Sequence, residues 1–209
     1  MEERKTLVWT TAAVALLIFC GIAVYQTVRM SAPVSMQTEG FPSIGKMSAK
    51  IEVVLVEDFQ CRNCRVFSQK IIPKIQSHYI KPGLIRFTLV PVSFLAGSQA
   101  IANAALEVYE QNPKLFFPYL KNILNHEGDV LPKDLIRLAR RIGGIDVDQL
   151  KSCIQSGCHN GELEKNLNWA RGVMGSQFRT PALFVNGVPA STYSFEAIQY
   201  QVDQILGKP

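Results

Sequence analysis

The feature that most constrains the fold is a pair of cysteines, Cys61 and Cys64, placed where a predicted strand meets a predicted helix. Upstream, residues 50–56 form a nearly continuous run of apolar and β-branched side chains, which indicates a buried strand. Downstream, apolar residues recur at helical spacing from Val66 to Ile75. The two cysteines are therefore predicted to open a helix.

A cysteine in that position lies among backbone N–H groups that have no partner within the helix. The positive end of the helix dipole favours the thiolate form of Cys61, which makes it a nucleophile at neutral pH. Cys64 lies one turn further along the same face, close enough to close a disulfide with Cys61. The pair suits thiol–disulfide exchange, although the same spacing also makes half of a zinc site.

A second group of motifs lies near the end of the chain. Thr180 and Pro181 precede an apolar strand over residues 182–185, and Asn186-Gly187 is a strong hairpin signal. The chain resembles the thioredoxin fold in two respects. Early in the sequence a strand is followed by C-x-x-C and a helix, and late in the sequence Thr-Pro is followed by a strand, a hairpin and a helix. In that family the late proline is cis and faces the cysteine pair.

The number of residues between the two groups of motifs indicates which thioredoxin-fold family the chain resembles. Cys64 and Pro181 are separated by 116 residues, most of which show helical patterns. The chain thus resembles the DsbA family of bacterial envelope oxidoreductases, in which a helical domain is inserted into a thioredoxin fold. The stretch from Arg179 to Gly187 is similar to the family's G-T-P-x-F-x-V-N-G. The resemblance covers about residues 45–207.

The resemblance implies an α/β fold divided into several segments. The two halves of the thioredoxin fold are expected at residues 48–96 and 176–209, with the helical insertion at 97–175. Residues 31–47 mix Ser, Pro and Gly and are predicted to form a tether. Residues 1–30 are predicted to be a signal anchor or a signal peptide.

The N-terminal segment has no charged residue between positions 6 and 28. It is long enough to span a bilayer, which favours an uncleaved anchor, but Gly21-Ile22-Ala23 leaves cleavage open. Export to the bacterial periplasm or cell envelope is expected, with residues 7–28 anchoring the protein in the inner membrane if they are retained. Cys20 is expected to be inert, because Phe19 before it does not fit a lipoprotein signal.

Composition argues against several other classes of protein. The net charge of +5 is spread along the chain without a dense basic run, so nucleic-acid binding is not expected. No P-loop, G-x-S-x-G or H-E-x-x-H motif occurs. The scattered histidines His78, His126 and His159 are each expected at the surface and not as catalytic bases.

Cys153 and Cys158 form a second, local pair with C-x4-C spacing. A structural disulfide is expected, because surface thiols seldom stay free in an oxidising compartment. Two alternatives stay open. One is a second redox pair, and the other is a metal site shared with Cys61 and Cys64, for which His159 would be a spare ligand.

The resemblance implies a thiol–disulfide oxidoreductase that acts on exported proteins, with Cys61 as the attacking thiol and Cys64 as the resolving thiol. It also implies a membrane redox partner and no cofactor or metal. The residues expected to bind substrate are Thr180 and Pro181, and those expected to surround the cysteines are Phe59, Arg62 and Asn63. A moderately oxidising disulfide-forming oxidase is predicted. The alternatives are a reductase or isomerase of the same fold, a copper- or zinc-binding envelope module, and an inert structural protein.

One departure from the family concerns a buried acid. Many relatives carry one six residues before the first cysteine, where this chain has Leu55. Glu57 is nearby but is expected on the opposite face of the strand by alternation. No buried acid is therefore expected beneath the cysteines, and Asp58 is expected only to start the turn.

Overall fold

The computed structural model describes residues 9, 11–22 and 33–207. Residues 11–22 are helical and exposed along their length. No helix within the described residues is both long enough and apolar enough to cross a bilayer. Residues 7–8, 10 and 23–28 of the expected anchor lie outside this part of the chain, so the anchor over residues 7–28 stays a prediction.

Five strands form one sheet, in the spatial order β1-β3-β2-β4-β5. The central strands β2 and β3 are parallel, and the other neighbouring pairs are antiparallel. The strands are β1 (Ser43–Gly45), β2 (Ile51–Asp58), β3 (Ile85–Val92), β4 (Ala182–Val185) and β5 (Val188–Pro189). The sequence did not indicate β1, which lies inside the stretch expected to be a tether.

The region between β3 and β4 is helical, as predicted. Two helices, α1 (Arg62–Lys70) and α2 (Ile72–Ile75), lie between β2 and β3. The region between β3 and β4 contains α3 (Ser98–Gln111), α4 (Phe116–Leu124), α5 (Pro132–Ile142), α6 (Val147–Ser156) and α7 (Asn160–Met174), and α8 (Phe195–Leu206) follows β5. The helix after the cysteines was expected to run to about Tyr79 with a kink at Pro73. It is interrupted near that residue, where α1 gives way to α2 and then to a π-helical turn at Gln76–Ile80. Proline cannot donate the backbone hydrogen bond that a continuous helix requires.

Both faces of the sheet are buried, and β2 shows why. Successive side chains of a strand point to opposite faces. Val53 and Leu55 belong to the larger core, which also contains side chains of α1 and α8, whereas Val54 and Val56 belong to a smaller core beneath α7. The strand β2 thus lies between the two hydrophobic cores, and Cys61 follows its carboxyl end at the end of the sheet where the strand stops.

Candidate active site

Cys61 lies at the N-cap of α1. Its N–H donates to the Asp58 carbonyl at 2.9 Å, and its own carbonyl accepts from the Arg65 N–H at 3.0 Å, which is the first bond of the helix. No side chain caps this helix start. Cys61 therefore lies at the start of a helix whose first backbone N–H groups have no side-chain cap.

Asp58 fixes the loop that carries Cys61. Its carboxylate is fully buried and accepts from the Gln60 N–H at 2.9 Å, which forms the turn expected from the sequence. The second oxygen accepts from the N–H groups of Phe94 and Leu95 at 2.9 and 3.1 Å. Asp58 thus starts the turn after β2 and also holds the loop after β3 beside it.

The two cysteines are free thiols in very different surroundings. Cys61 is partly exposed, whereas Cys64 has no exposed surface. Burial raises the pKa of the Cys64 thiol well above its usual value, and the negative charge of Glu57 adds to this effect. Cys64 is therefore held as a protonated thiol while Cys61 faces the solvent.

The late Thr-Pro motif lies next to Cys61. The Cys61 thiol donates to the Thr180 carbonyl, with the sulfur and oxygen 3.5 Å apart. The Thr180–Pro181 peptide bond is cis, and Pro181 is buried. Pairing of β4 with β2, in which Ala182 lies opposite Val56, brings these distant parts of the chain together.

Glu57 is a buried acid near Cys64, contrary to the sequence expectation. Its side chain is fully buried, and one oxygen accepts from the Ser68 hydroxyl at 2.8 Å. The other oxygen, Oε1, has no hydrogen-bond partner among the described residues. Burial is the main cause that raises the pKa of Glu57 to about 8. The expectation that Glu57 faces away was wrong, because Leu55 and Glu57 are two residues apart and share a face of β2.

The other residues expected around the cysteines divide into two groups. Arg62 and Asn63 are exposed on the first turn of α1, whereas Phe59 is fully buried in the larger core. Arg65 was not predicted from the sequence; its Nη1 donates to the carbonyls of His126 and Gly128 at 3.0 and 3.1 Å. Arg65 ties the active-site helix to the loop between α4 and α5.

Cys153 and Cys158 are joined in a disulfide between α6 and α7. Potential metal ligands gather around it, namely Glu107, Cys153, Cys158 and His159. Neither Cys61 nor Cys64 belongs to this cluster, so the four-cysteine metal site is not assembled within the described part of the chain. His159, expected at the surface, has only 11% of its side chain exposed.

The geometry can be compared with known proteins. The sequence matches the thioredoxin family over residues 37–204. Disulfide bond formation protein D of Bacillus subtilis is 31% identical over 156 residues, covering 71% of this chain and 68% of that protein. A putative protein-disulfide oxidoreductase of Rickettsia felis is 27% identical over 164 residues, covering 75% of this chain and 58% of that protein.

Solved structures show the same relationship. Chlamydia trachomatis DsbA matches with a TM-score of 0.77 and 29% identity, covering 84% of this chain and 96% of that one. Oxidised BdbD of Bacillus subtilis matches with a TM-score of 0.77 and 26% identity, covering 85% and 98%. The fold is therefore thioredoxin-like, with a helical insertion between β3 and β4. The chain belongs to the thioredoxin family and is a DsbA-like protein thiol–disulfide oxidoreductase.

Proposed function

We propose that this protein is a disulfide-forming oxidase of the bacterial cell envelope, with Cys61 and Cys64 as its redox pair. The observation that carries the proposal is the contrast between the two thiols. Cys61 is partly exposed at a helix N-terminus, 3.5 Å from the Thr180 carbonyl, whereas Cys64 is fully buried. Of the two thiols, only Cys61 is accessible to the sulfur of another protein, and Cys64 is the thiol that leaves when the disulfide is attacked and that can return to Cys61 to release a bound substrate.

The proposed cycle starts from the Cys61–Cys64 disulfide. A substrate thiolate attacks Cys61, the S–S bond breaks, and Cys64 leaves with the bonding electron pair. A second substrate thiolate then attacks the substrate sulfur of the mixed disulfide and releases Cys61. The substrate loses two electrons and two protons, and the cysteine pair gains them. A membrane redox partner of the disulfide or quinone class would then reoxidise the pair.

The buried Cys64 needs a proton as it leaves, because its thiolate is unfavourable where it lies. Glu57 is a suitable donor. Its raised pKa of about 8 keeps the carboxyl protonated at neutral pH, and its hydrogen bond to Ser68 holds it against α1. We propose that Glu57 gives its proton to Cys64 when the disulfide opens and recovers a proton when it closes.

Substrate proteins are proposed to bind as extended segments beside the cis-proline. The Thr180 carbonyl accepts the Cys61 S–H in the reduced protein. Once Cys61 is in a mixed disulfide it has no S–H, so this carbonyl is free to accept a backbone N–H of the substrate. Phe94 and Leu95 expose apolar surface on the loop held by Asp58 and would contact substrate side chains of any sequence.

A redox titration against glutathione tests the direction of the reaction. An oxidase requires a reduction potential above that of thioredoxin, which is about −270 mV. A potential at or below that value would instead identify a reductase. Zinc and copper binding by the reduced Cys153→Ser/Cys158→Ser variant tests the metal-module alternative, because only Cys61 and Cys64 then remain as cysteines in the folded domain.

A further inference from the structure

The second cysteine pair lies in a cluster of potential metal ligands. Glu107 comes from α3, Cys153 from the last turns of α6, and Cys158 and His159 from the turn that precedes α7. One ligand atom from each of these four residues lies within 4.8 Å of all the others. The cluster plays no part in the proposed redox cycle of Cys61 and Cys64.

Glu107 directs a buried oxygen into this cluster. Only 4% of its side chain is exposed, and Oε1 accepts from the Gln111 side chain at 2.7 Å. Oε2 lies 3.4 Å from His159 Nε2 and 3.7 Å from the Cys158 sulfur. A disulfide sulfur has no hydrogen, so the contact with Cys158 is not a hydrogen bond. The His159 ring is thus the partner of Oε2 when no metal is present, and a bound metal would replace this contact.

His159 has the orientation of a metal-binding histidine. Its Nδ1 lies 3.2 Å from a carboxylate oxygen of Glu162, while Nε2 points into the cluster. Nε2 is buried and makes no hydrogen bond with any described residue, but it lies within ion-pair distance of Glu107 Oε2 at 3.4 Å and of Glu110 Oε2 at 3.6 Å. Metal-bound histidines usually use one ring nitrogen as the ligand and donate the other N–H to a carboxylate, which fixes the ring.

We propose that reduction of the Cys153–Cys158 disulfide creates a zinc site from the two thiolates, His159 Nε2 and Glu107 Oε2. The C-x4-C spacing is within the range common in structural zinc sites. Tetrahedral zinc with bonds of about 2.0–2.3 Å holds its ligand atoms roughly 3.3–3.8 Å apart. The separations of 3.4 and 3.7 Å already fit, the two sulfurs must move apart, and the remaining ligand pairs start within 4.8 Å of one another.

The turn that carries two of the ligands does not depend on the disulfide for its position. The His159 N–H donates to Asn103 Oδ1 at 2.7 Å, and the Asn103 side chain also donates to Asn160 at 2.8 Å. These bonds attach the turn to α3 independently of the two sulfurs, and we expect them to persist when the disulfide is reduced. Two thiolates and an imidazole select zinc over magnesium or calcium, which prefer oxygen ligands.

The proposed change is balanced with a dithiol as the reductant. The Cys153–Cys158 bond breaks, the pair gains two electrons and two protons, and the dithiol is oxidised to a disulfide. Zinc then replaces the two thiol protons, which pass to the solvent. Because zinc binds only the reduced pair, it must oppose reoxidation by mass action. The disulfide is thus the closed state of a redox-controlled metal site.

The experiment uses the full chain carrying Cys61→Ser/Cys64→Ser, so that the active-site thiols cannot contribute. The protein is reduced with a phosphine, freed of reductant without oxygen, and titrated with zinc against a chromophoric chelator. One equivalent of zinc should bind after reduction and none before it. Replacing zinc with cobalt should give thiolate-to-cobalt charge-transfer bands and the intense absorption of a tetrahedral site. Failure of the reduced protein to bind zinc would overturn the proposal.

Two further variants test the ligand set. His159→Gln should weaken zinc binding by more than the roughly 10–100-fold that follows loss of an outer-shell partner. His78→Gln, which changes an exposed histidine outside the cluster, should bind zinc like the parent. Zinc should also slow reoxidation of Cys153 and Cys158, and a chelator should restore the rate. Equal zinc affinity in the two histidine variants would exclude the proposed site.

Discussion

Ser68 donates a 2.8 Å hydrogen bond to the buried carboxyl group of Glu57. Ser68 lies four residues after Cys64 on α1, so the two side chains occupy the same face of the helix. The carboxyl group therefore lies under the helix on the side of the buried thiol, and its charge contributes to the raised pKa of Cys64. Protonation of Glu57 and ionisation of Cys64 are consequently coupled, which leads to the first two predictions.

The first prediction concerns the rate of disulfide exchange. Glu57→Gln removes the proposed proton donor but keeps a side chain of similar size that can still accept from Ser68. Oxidation of a peptide dithiol should slow by about ten- to a hundredfold. General acid–base catalysis usually contributes about a hundred- to ten-thousandfold to a rate, so the expected loss is at or below the lower end of that range. The rate advantage of the parent over the variant should shrink between pH 7 and 9, because Glu57 loses its proton there, whereas ionisation of the substrate thiol affects both proteins alike.

Ser68→Ala provides the matched control for that experiment. It removes the hydrogen bond and leaves the carboxyl group in place, so most of the rate should remain. If Glu57→Gln gave the parent's rate and pH profile, the proton-donor role would be rejected.

The second prediction concerns stability, and the direction follows from the raised pKa. Glu57 has a pKa of about 8 in the folded protein against a usual value of 4.5. Between these values the folded state holds a proton that the unfolded state lacks. The contribution of Glu57 to the free energy of unfolding should therefore be complete below about pH 4.5 and fall by up to about 1.4 kcal/mol per pH unit as the pH rises toward 8.

Glu57→Gln should flatten this part of the stability profile. Urea unfolding at several pH values between 5 and 8 measures the effect in both proteins under reducing conditions. Profiles with the same slope in the parent and the variant would show that Glu57 is not held protonated.

The third prediction concerns the two active-site thiols. Since Cys61 is partly exposed and Cys64 is buried, an alkylating agent should modify Cys61 first at mildly acidic pH. Cys64→Ser should accumulate mixed disulfides with substrate proteins, because Cys64 is no longer there to attack Cys61 and release the substrate. Cys61→Ser should accumulate none. Equal alkylation of both thiols, located by mass spectrometry, would reverse the assignment.

The fourth prediction concerns the Cys153–Cys158 disulfide. Its two cysteines are five residues apart, so it closes a short loop, and the chain-entropy model gives a contribution of about 2 kcal/mol. Cys153→Ser/Cys158→Ser should lower the free energy of unfolding by this amount and leave dithiol oxidation nearly unchanged. If this variant folded but lost activity, Cys153 and Cys158 would be a second redox pair and not a structural disulfide.

Local patterns in the sequence account for much of the fold. The run before Cys61, the C-x-x-C motif, and the Thr-Pro and Asn-Gly signals each depend on neighbouring residues, so β2, α1 and the β4–β5 hairpin were predictable. β1 was not, because its three residues Ser43–Gly45 are too few to show alternation and are held by pairing with Arg86–Thr88 of β3.

Contacts between distant segments explain what the sequence did not show. Arg65 meets the carbonyls of His126 and Gly128 across more than sixty residues, and Glu107 meets His159 across about fifty. No local pattern reports such pairs. The position of Glu57, by contrast, could have been deduced from the sequence. Strand alternation places it on the same face of β2 as Leu55, which is the face that α1 covers.

The last prediction concerns the redox poise of the active site. A dithiol is strongly oxidising when its reduced form is stabilised, chiefly through the thiolate of Cys61. Arg62 favours that thiolate but is exposed and therefore partly screened, and Asn63 is neutral and also exposed. We expect a potential between those of thioredoxin, about −270 mV, and the strongest DsbA oxidants, about −120 mV.

Asn63→His should raise the potential at a pH below about 6.5, where the imidazole carries a charge. A charged donor stabilises a thiolate by on the order of 1–2 kcal/mol, and 1.4 kcal/mol corresponds to about 30 mV for this two-electron couple. Arg62→Ala should lower the potential by less, because solvent already weakens its effect. Glutathione titrations of the three proteins at one pH measure both shifts. Identical potentials would show that the residues between the cysteines do not set the poise, and would leave Glu57 and the Thr180 carbonyl as the groups that do.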